Sequence, residues 1–89
     1  TINNMTEFIL NLLEKHRKFV KEDNVKNIVD EISENIFILL TSGKELLSKT
    51  TSWKDMISYI TEISLMKASA YPSLSNKTIF KFMDILETI

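Results

Sequence analysis

The chain has 89 residues with one glycine, one proline and no cysteine, and its 11 basic and 12 acidic side chains nearly cancel. Without cysteine, a disulfide scaffold and cysteine-ligated zinc are excluded, and the balanced charge gives no general attraction to nucleic acid or membranes. Glycine and proline most often mark turns and strand ends. Their scarcity predicts an all-α fold, a compact four- to five-helix bundle in one domain of residues 1–89, whose abrupt ends suggest a piece of a larger protein.

The first helix is predicted from about Met5 to Phe19. Apolar side chains recur there at the i, i+3 and i+4 spacing of one helix face; they are Met5, Phe8, Ile9, Leu12 and Leu13. Asn4 is expected to cap the helix, with Glu7 as its capping-box partner. The basic residues that follow suit the negative end of a helix; they are Lys15, His16, Arg17 and Lys18.

The second helix is expected to begin after a cap at Asp23. Its apolar stripe comprises Val25, Ile28, Val29, Ile32, Ile36, Leu39 and Leu40. Between Ile36 and Leu40 every residue is apolar, which is typical of a helix turn buried on several sides, so we predict the centre of the core there. Gly43 is placed to end the helix in a left-handed conformation, and residues 44–48 are predicted to form a short extra turn.

The third helix is predicted to open at a capping box of Ser52 and Asp55 and to fade by Ala70. Its apolar residues are Trp53, Met56, Ile57, Ile60 and Ile63. Pro72 disfavours helix at the residue before it, which predicts a loop at residues 71–73.

Ser75 or Ser73 is expected to cap the fourth helix, whose stripe comprises Ile79, Phe82, Met83 and Leu86. Leu74 is placed to pack opposite Ile79 as a hydrophobic staple. The pattern therefore predicts four main helices.

Few residues suggest chemistry. His16 is the single histidine, and two interpretations stay open: a pH switch or general base, or a helix-end residue that completes the apolar stripe. A lone histidine predicts no metal site. No Gly-x-Ser-x-Gly elbow, phosphate loop or dinucleotide fingerprint is present. We therefore expect no cofactor and no enzymatic activity.

Charge is unevenly distributed along the chain. Basic residues lie between positions 15 and 21, and an acidic segment follows; its members are Glu22, Asp23, Asp30, Glu31 and Glu34. Such a dipole can steer association with an oppositely arranged surface, or it can be ordinary decoration of solvated helices. The basic cluster holds one arginine and lacks interleaved aromatics, so nucleic-acid binding is not expected.

The C-terminal third resembles a known family. Glu62-Ile63, a loop, Ser73-Leu74-Ser75-Asn76-Lys77-Thr78 and the apolar helix that follows are similar to the third-to-fourth helix junction of the N-terminal domains of spider silk proteins, the spidroins. Thr6-Glu7-Phe8-Ile9, and Phe19 followed by Val25, agree in order and approximate spacing. The family's paired aspartates fall on Lys26 and Asn27 here, and its alanine richness is absent, which would fit a repetitive or divergent silk domain better than a standard terminal one.

The resemblance implies a helical domain that dimerises, with carboxylates acting as pH relays and an Asp–Lys dipole steering the partners. Glu62 matches one relay carboxylate and Lys54 the partner lysine, and a secreted, extracellular location would follow.

We therefore expect a non-enzymatic domain that associates with itself, with a homodimer as one possible form. The charged residues expected to control this association are Glu31, Glu34, Lys54 and Glu62. The partner would be protein, with neither nucleic acid nor membrane involved. The alternative is an intracellular adaptor or scaffold fragment whose apolar end at residues 85–89 packs on a missing neighbour.

Overall fold

The protein is built from helices alone. The computed structural model describes all 89 residues, and it contains four long helices, a one-turn helix and a single 3-10 turn. These elements are α1 (Ile2–Phe19), α2 (Lys26–Ser42), α3 (Lys44–Leu47), α4 (Trp53–Ser64), the 3-10 turn Ala68–Ala70 and α5 (Asn76–Thr88). The predicted all-α bundle is confirmed, and so is the short extra turn after α2.

The four long helices form a ring in the order α1, α2, α5, α4. The α1–α2, α2–α5 and α4–α5 pairs pack extensively, whereas α1 and α4 touch less. Seventeen buried hydrophobic side chains fill the ring as one cluster. The radius of gyration is 12.3 Å, about the 12 Å expected of a compact domain of this length.

The first helix begins earlier than its pattern predicted. Thr1 is the N-cap, and its hydroxyl accepts a hydrogen bond from the backbone N–H of Asn4 at 3.3 Å. The predicted cap at Asn4 is therefore wrong. Because the helix starts at Ile2, the Ile2 side chain packs against the core. A helix that began at Met5 would lack this contact.

The start and end of α2 also differ from the expected caps. Asp23 does not cap the helix; Val25 holds the N-cap position, and its N–H donates to the Ser73 hydroxyl at 3.0 Å. Gly43 has φ −102° rather than the predicted left-handed conformation. Because α3 follows at once, the chain needs no reversal at Gly43. The left-handed residue is Asn24, with φ 60°.

Three residues assigned to apolar stripes are exposed: Phe8 is 55% exposed, Ile28 45% and Met83 40%. Ile38, in the all-apolar turn of α2, is 50% exposed. Each helix buries a face narrower than its run of apolar residues, so side chains at the edge of the run point outward. In the segment expected at the centre of the core, Ile36 and Leu40 are fully buried, and their three neighbours are not.

The third predicted helix begins at Trp53 as expected but ends at Ser64, not near Ala70. Ser52 forms no side-chain cap, so its capping box with Asp55 is wrong. The chain leaves α4 early because the loop ahead of α5 packs on the α1–α2 connection. In that loop the Ser73 N–H donates to the carbonyl oxygen of Val20 at 3.0 Å.

Of the two serines proposed to cap the last helix, Ser75 does so, accepting from the Thr78 N–H at 3.2 Å. The C-terminal apolar residues pack on the chain's own core. Ile85 is fully buried, and Leu86 and Ile89 lie against the core cluster. The apolar residues at this end therefore have packing partners within the chain itself.

Candidate functional site

A chain of hydrogen-bonded polar side chains crosses the core. It starts at His16, which lies in line with the buried residues of α1 and has no exposed surface. The imidazole Nδ1 lies 2.7 Å from the Tyr59 hydroxyl on α4, and Nε2 lies 2.9 Å from the Ser33 hydroxyl on α2. One side chain thus ties three helices together.

The chain continues from Ser33 towards the surface. Its hydroxyl lies 2.9 Å from that of Thr78 on α5, which donates to a carboxylate oxygen of Asp30 at 2.8 Å. The Ser75 hydroxyl donates to the same oxygen. Asp30 is half-buried, so the network has one dry end and one end near solvent. No buried side-chain polar atom of the protein lacks a hydrogen-bond partner.

The hydrogen positions follow from counting donors. A carboxylate oxygen only accepts, so the Thr78 hydrogen points to Asp30. Because the Thr78 hydrogen is already used, the 2.9 Å contact between the two hydroxyls is a hydrogen bond only if Ser33 donates its single hydrogen to Thr78. Donation to the carbonyl oxygen of Val29 at 2.8 Å would use the same hydrogen. In both cases Ser33 has no hydrogen left to donate to the imidazole. His16 therefore donates from Nε2–H to Ser33, and its bare Nδ1 accepts from the Tyr59 hydroxyl.

Burial keeps His16 neutral. Desolvation lowers its pKa from 6.5 to about 4, against a smaller opposing attraction from Asp30. The same cause raises the pKa of Tyr59 well above its ordinary value of 10, although the nearby Arg17 guanidinium opposes this shift. Both residues are thus held in the uncharged forms that the hydrogen-bond pattern requires.

Aromatic contacts fix the ring in place. His16 stacks on Phe82 of α5 with ring centroids 4.9 Å apart, and it meets Tyr59 edge-on. Outside the core, the Arg17 guanidinium lies 4.5 Å from the centre of the Tyr59 ring. The ring therefore contacts α2, α4 and α5 while belonging to α1, and its rotation is blocked by packing as well as by its two hydrogen bonds.

The network brings a serine, a histidine and an aspartate together, as hydrolases do, but in a different arrangement. A nucleophilic serine must give its proton to a bare histidine nitrogen. Here Nε2 already carries a hydrogen, and the Ser33 hydroxyl is 1% exposed. The arrangement therefore joins helices and does not activate a nucleophile. The side chains likewise form no group of three or more acidic or histidine residues suited to a metal ion.

The four residues expected to govern interaction all lie on the surface. Glu31 and Glu34 lie on the exposed side of α2, where Glu34 pairs with Lys81 of α5 at 3.1 Å. Lys54 and Glu62 are exposed on α4, eight residues apart and therefore about 12 Å along the helix axis. The structure brings Glu31 and Glu34 together and leaves the other two separate.

Sequence reasoning missed the polar chain. It left His16 open between a pH switch or general base and a stripe residue, placed Asp30 only in the acidic segment, and gave Ser33, Tyr59 and Thr78 no role in the core. One signal was present, because Ser33 falls between Val29 and Ile36 on the inner face of its helix. A small polar residue in an apolar stripe needs a partner, and the single histidine was a candidate.

Comparison with known proteins adds no relative. No protein-family model, no curated protein and no solved structure matches this chain. The helices also include none long and apolar enough to cross a membrane.

Proposed function

We propose that this chain is a non-enzymatic helical domain that associates with a second copy of itself through its outer surface. The observation that carries the proposal is a pair of exposed apolar side chains on α5. Phe80 is 60% exposed and Met83 40%, and residues three apart are neighbours on a helix surface. Side chains of this kind are enriched in the cores of protein interfaces.

Charge supports a second copy as the partner. The Phe80–Met83 pair adjoins Lys81, which bonds to Glu34 on α2, and Glu31 lies one turn from Glu34. The opposite sign is concentrated near the end of α1, at Lys15, Arg17, Lys18 and Lys21. Each molecule therefore offers both signs, so two copies can meet with complementary charges. A net charge of −1 opposes their approach only weakly.

The silk-type version of this proposal adds a pH dependence. It supposes that Glu62 takes up a proton as two copies meet and that Lys54 takes part in steering them. Protonated carboxyl groups are less costly to bury than ionised ones, so association should strengthen as pH falls. Both residues are exposed on α4 and are free to reach a partner.

Sedimentation velocity at pH 7 and pH 5.5, at low and high salt, tests the proposal. The expected result is a dimer that strengthens at pH 5.5 and weakens with salt. Phe80→Ser and Met83→Ser should each weaken it at least tenfold, whereas Leu65→Ser is the matched control, because Leu65 is 81% exposed outside α5. A chain that stays monomeric at both pH values would contradict self-association and favour the alternative of a different protein partner.

Dimerisation that does not respond to pH would retain the general proposal and contradict the silk-type version. Glu62→Gln separates these outcomes further. If Glu62 is the carboxyl group that takes up the proton, this variant should associate more tightly at pH 7 than the wild-type chain does at the same pH.

A further inference from the structure

We propose that His16 is an acid-sensitive latch between α1 and α4, which opens when Nδ1 takes up a proton and reverses the hydrogen bond with Tyr59. This inference concerns the folded monomer and goes beyond the proposed self-association.

The hydrogen-bond pattern makes the two ends of the imidazole unequal. Nε2 carries a hydrogen in both the neutral and the protonated ring, so its bond to Ser33 at 2.9 Å survives protonation. Nδ1 is the acceptor of the Tyr59 hydrogen at 2.7 Å. Once Nδ1 is itself a donor, the Tyr59 hydrogen must point elsewhere. The α1–α4 contact therefore changes, whereas the contact with α2 does not.

A small cavity lies next to the Tyr59 side chain. Its volume is about 50 Å³, and Arg17, Lys21, Glu62 and Tyr71 are among its lining residues. This is enough room for a water molecule with polar partners. Because Tyr59 lines this cavity, water there can accept the displaced hydroxyl hydrogen. Protonation of His16 therefore favours water next to the contact between α1 and α4.

The charges around His16 do not compensate for a buried cation. On α2 the facing charge is Asp30, which attracts it but lies beyond Ser33 and Thr78 in the hydrogen-bond chain. On α4 the facing groups are Tyr59 and, farther out, Glu62, and α5 presents only Phe82 and Thr78. Arg17, on α1 itself, lies over the Tyr59 ring. The pKa of about 4 reflects chiefly the cost of desolvating the charged ring, which the attraction of Asp30 offsets only in part.

The contact between α1 and α4 is also the smallest of the four helix contacts in the ring. The pairs α1–α2, α2–α5 and α4–α5 pack more extensively than α1–α4. Separating α4 from α1 therefore breaks fewer contacts than any other opening of the ring and lets the imidazole reach water. Acid should thus produce a partial opening at α4 before the whole bundle unfolds.

Titration of the imidazole by NMR tests the first step without assignment ambiguity, because the chain has a single histidine. The expected wild-type ring is the Nε2–H tautomer and titrates well below 6.5. Tyr59→Phe removes a hydrogen bond to the neutral ring, so it should raise the pKa of His16 by roughly half a unit to one unit. Ser48→Ala is the control, because the Ser48 hydroxyl bonds to the Glu45 carbonyl oxygen outside the polar network, and it should leave the pKa of His16 unchanged.

Hydrogen exchange tests the opening itself. After correction for intrinsic rates, amides of α4 should be less protected than those of α2, and their protection should fall roughly 30-fold from pH 6.5 to 4.5. His16→Gln should abolish most of that pH dependence. A ring that titrates near 6.5, equal His16 pKa values in Tyr59→Phe and in the control variant, or equal protection of α4 and α2 at every pH would overturn the latch.

Discussion

The buried neutral histidine predicts how the stability of the whole domain depends on pH. In the unfolded chain His16 titrates near 6.5, and in the folded protein its pKa is lowered to about 4. The unfolded state therefore binds the proton more readily between these values. The stabilisation is complete above pH 6.5 and is lost as pH falls towards 4.

The magnitude follows from the two pKa values. One unit of difference corresponds to about 1.4 kcal/mol. Relative to pH 7, the contribution of His16 to the free energy of unfolding should fall by about 2 kcal/mol at pH 5 and about 3 kcal/mol at pH 4. A domain of this length has a total stability of roughly 4–13 kcal/mol, so the loss is a large part of it.

Urea denaturation at pH 7, 5 and 4 measures this loss, with the wild-type chain compared with two variants. His16→Gln removes the titrating group, so its decline from pH 7 to pH 4 should be smaller than that of the wild type by about 3 kcal/mol. Lys15→Gln changes the exposed neighbouring residue and should follow the wild type. Parallel curves for wild type and His16→Gln would refute the linkage between burial of the neutral ring and stability.

Four further substitutions test the packing. Phe82→Ala empties a fully buried site and should cost about 3–5 kcal/mol by urea denaturation, whereas Phe80→Ala, on the outer face of the same helix, should stay within about 0.5 kcal/mol. Ser33→Ala leaves the buried Nε2–H of His16 without a partner and should lower the thermal midpoint, with a cost of about 1–3 kcal/mol. Gly43→Ala should destabilise by about 1 kcal/mol despite its ordinary φ, because the new Cβ would lie 3.1 Å from the carbonyl oxygen of Leu39; an unchanged urea midpoint would contradict this steric reason.

Much of the fold could be predicted because it depends on local periodicity. The spacing of Ile9, Leu12 and Leu13 specifies a buried helix face wherever the helix packs, and Ser75 followed by Thr78 forms a cap within four residues. Other boundaries depended on distant contacts. The cap at Asp23 failed because the N–H of Val25 bonds to Ser73, 48 residues away, and no local pattern contains that information.

The sequence by itself determined that this is a helical bundle without disulfides, because a chain with one glycine, one proline and no cysteine can bury its apolar stripes most simply as packed helices. Only the tertiary structure decided which stripe residues face inward and what surrounds His16. A helical period tells which side chains share a face, but not which faces of different helices meet. The partners of the histidine lie 17 and 43 residues away along the chain, so its lowered pKa and its links between helices exist only once the ring of helices has closed.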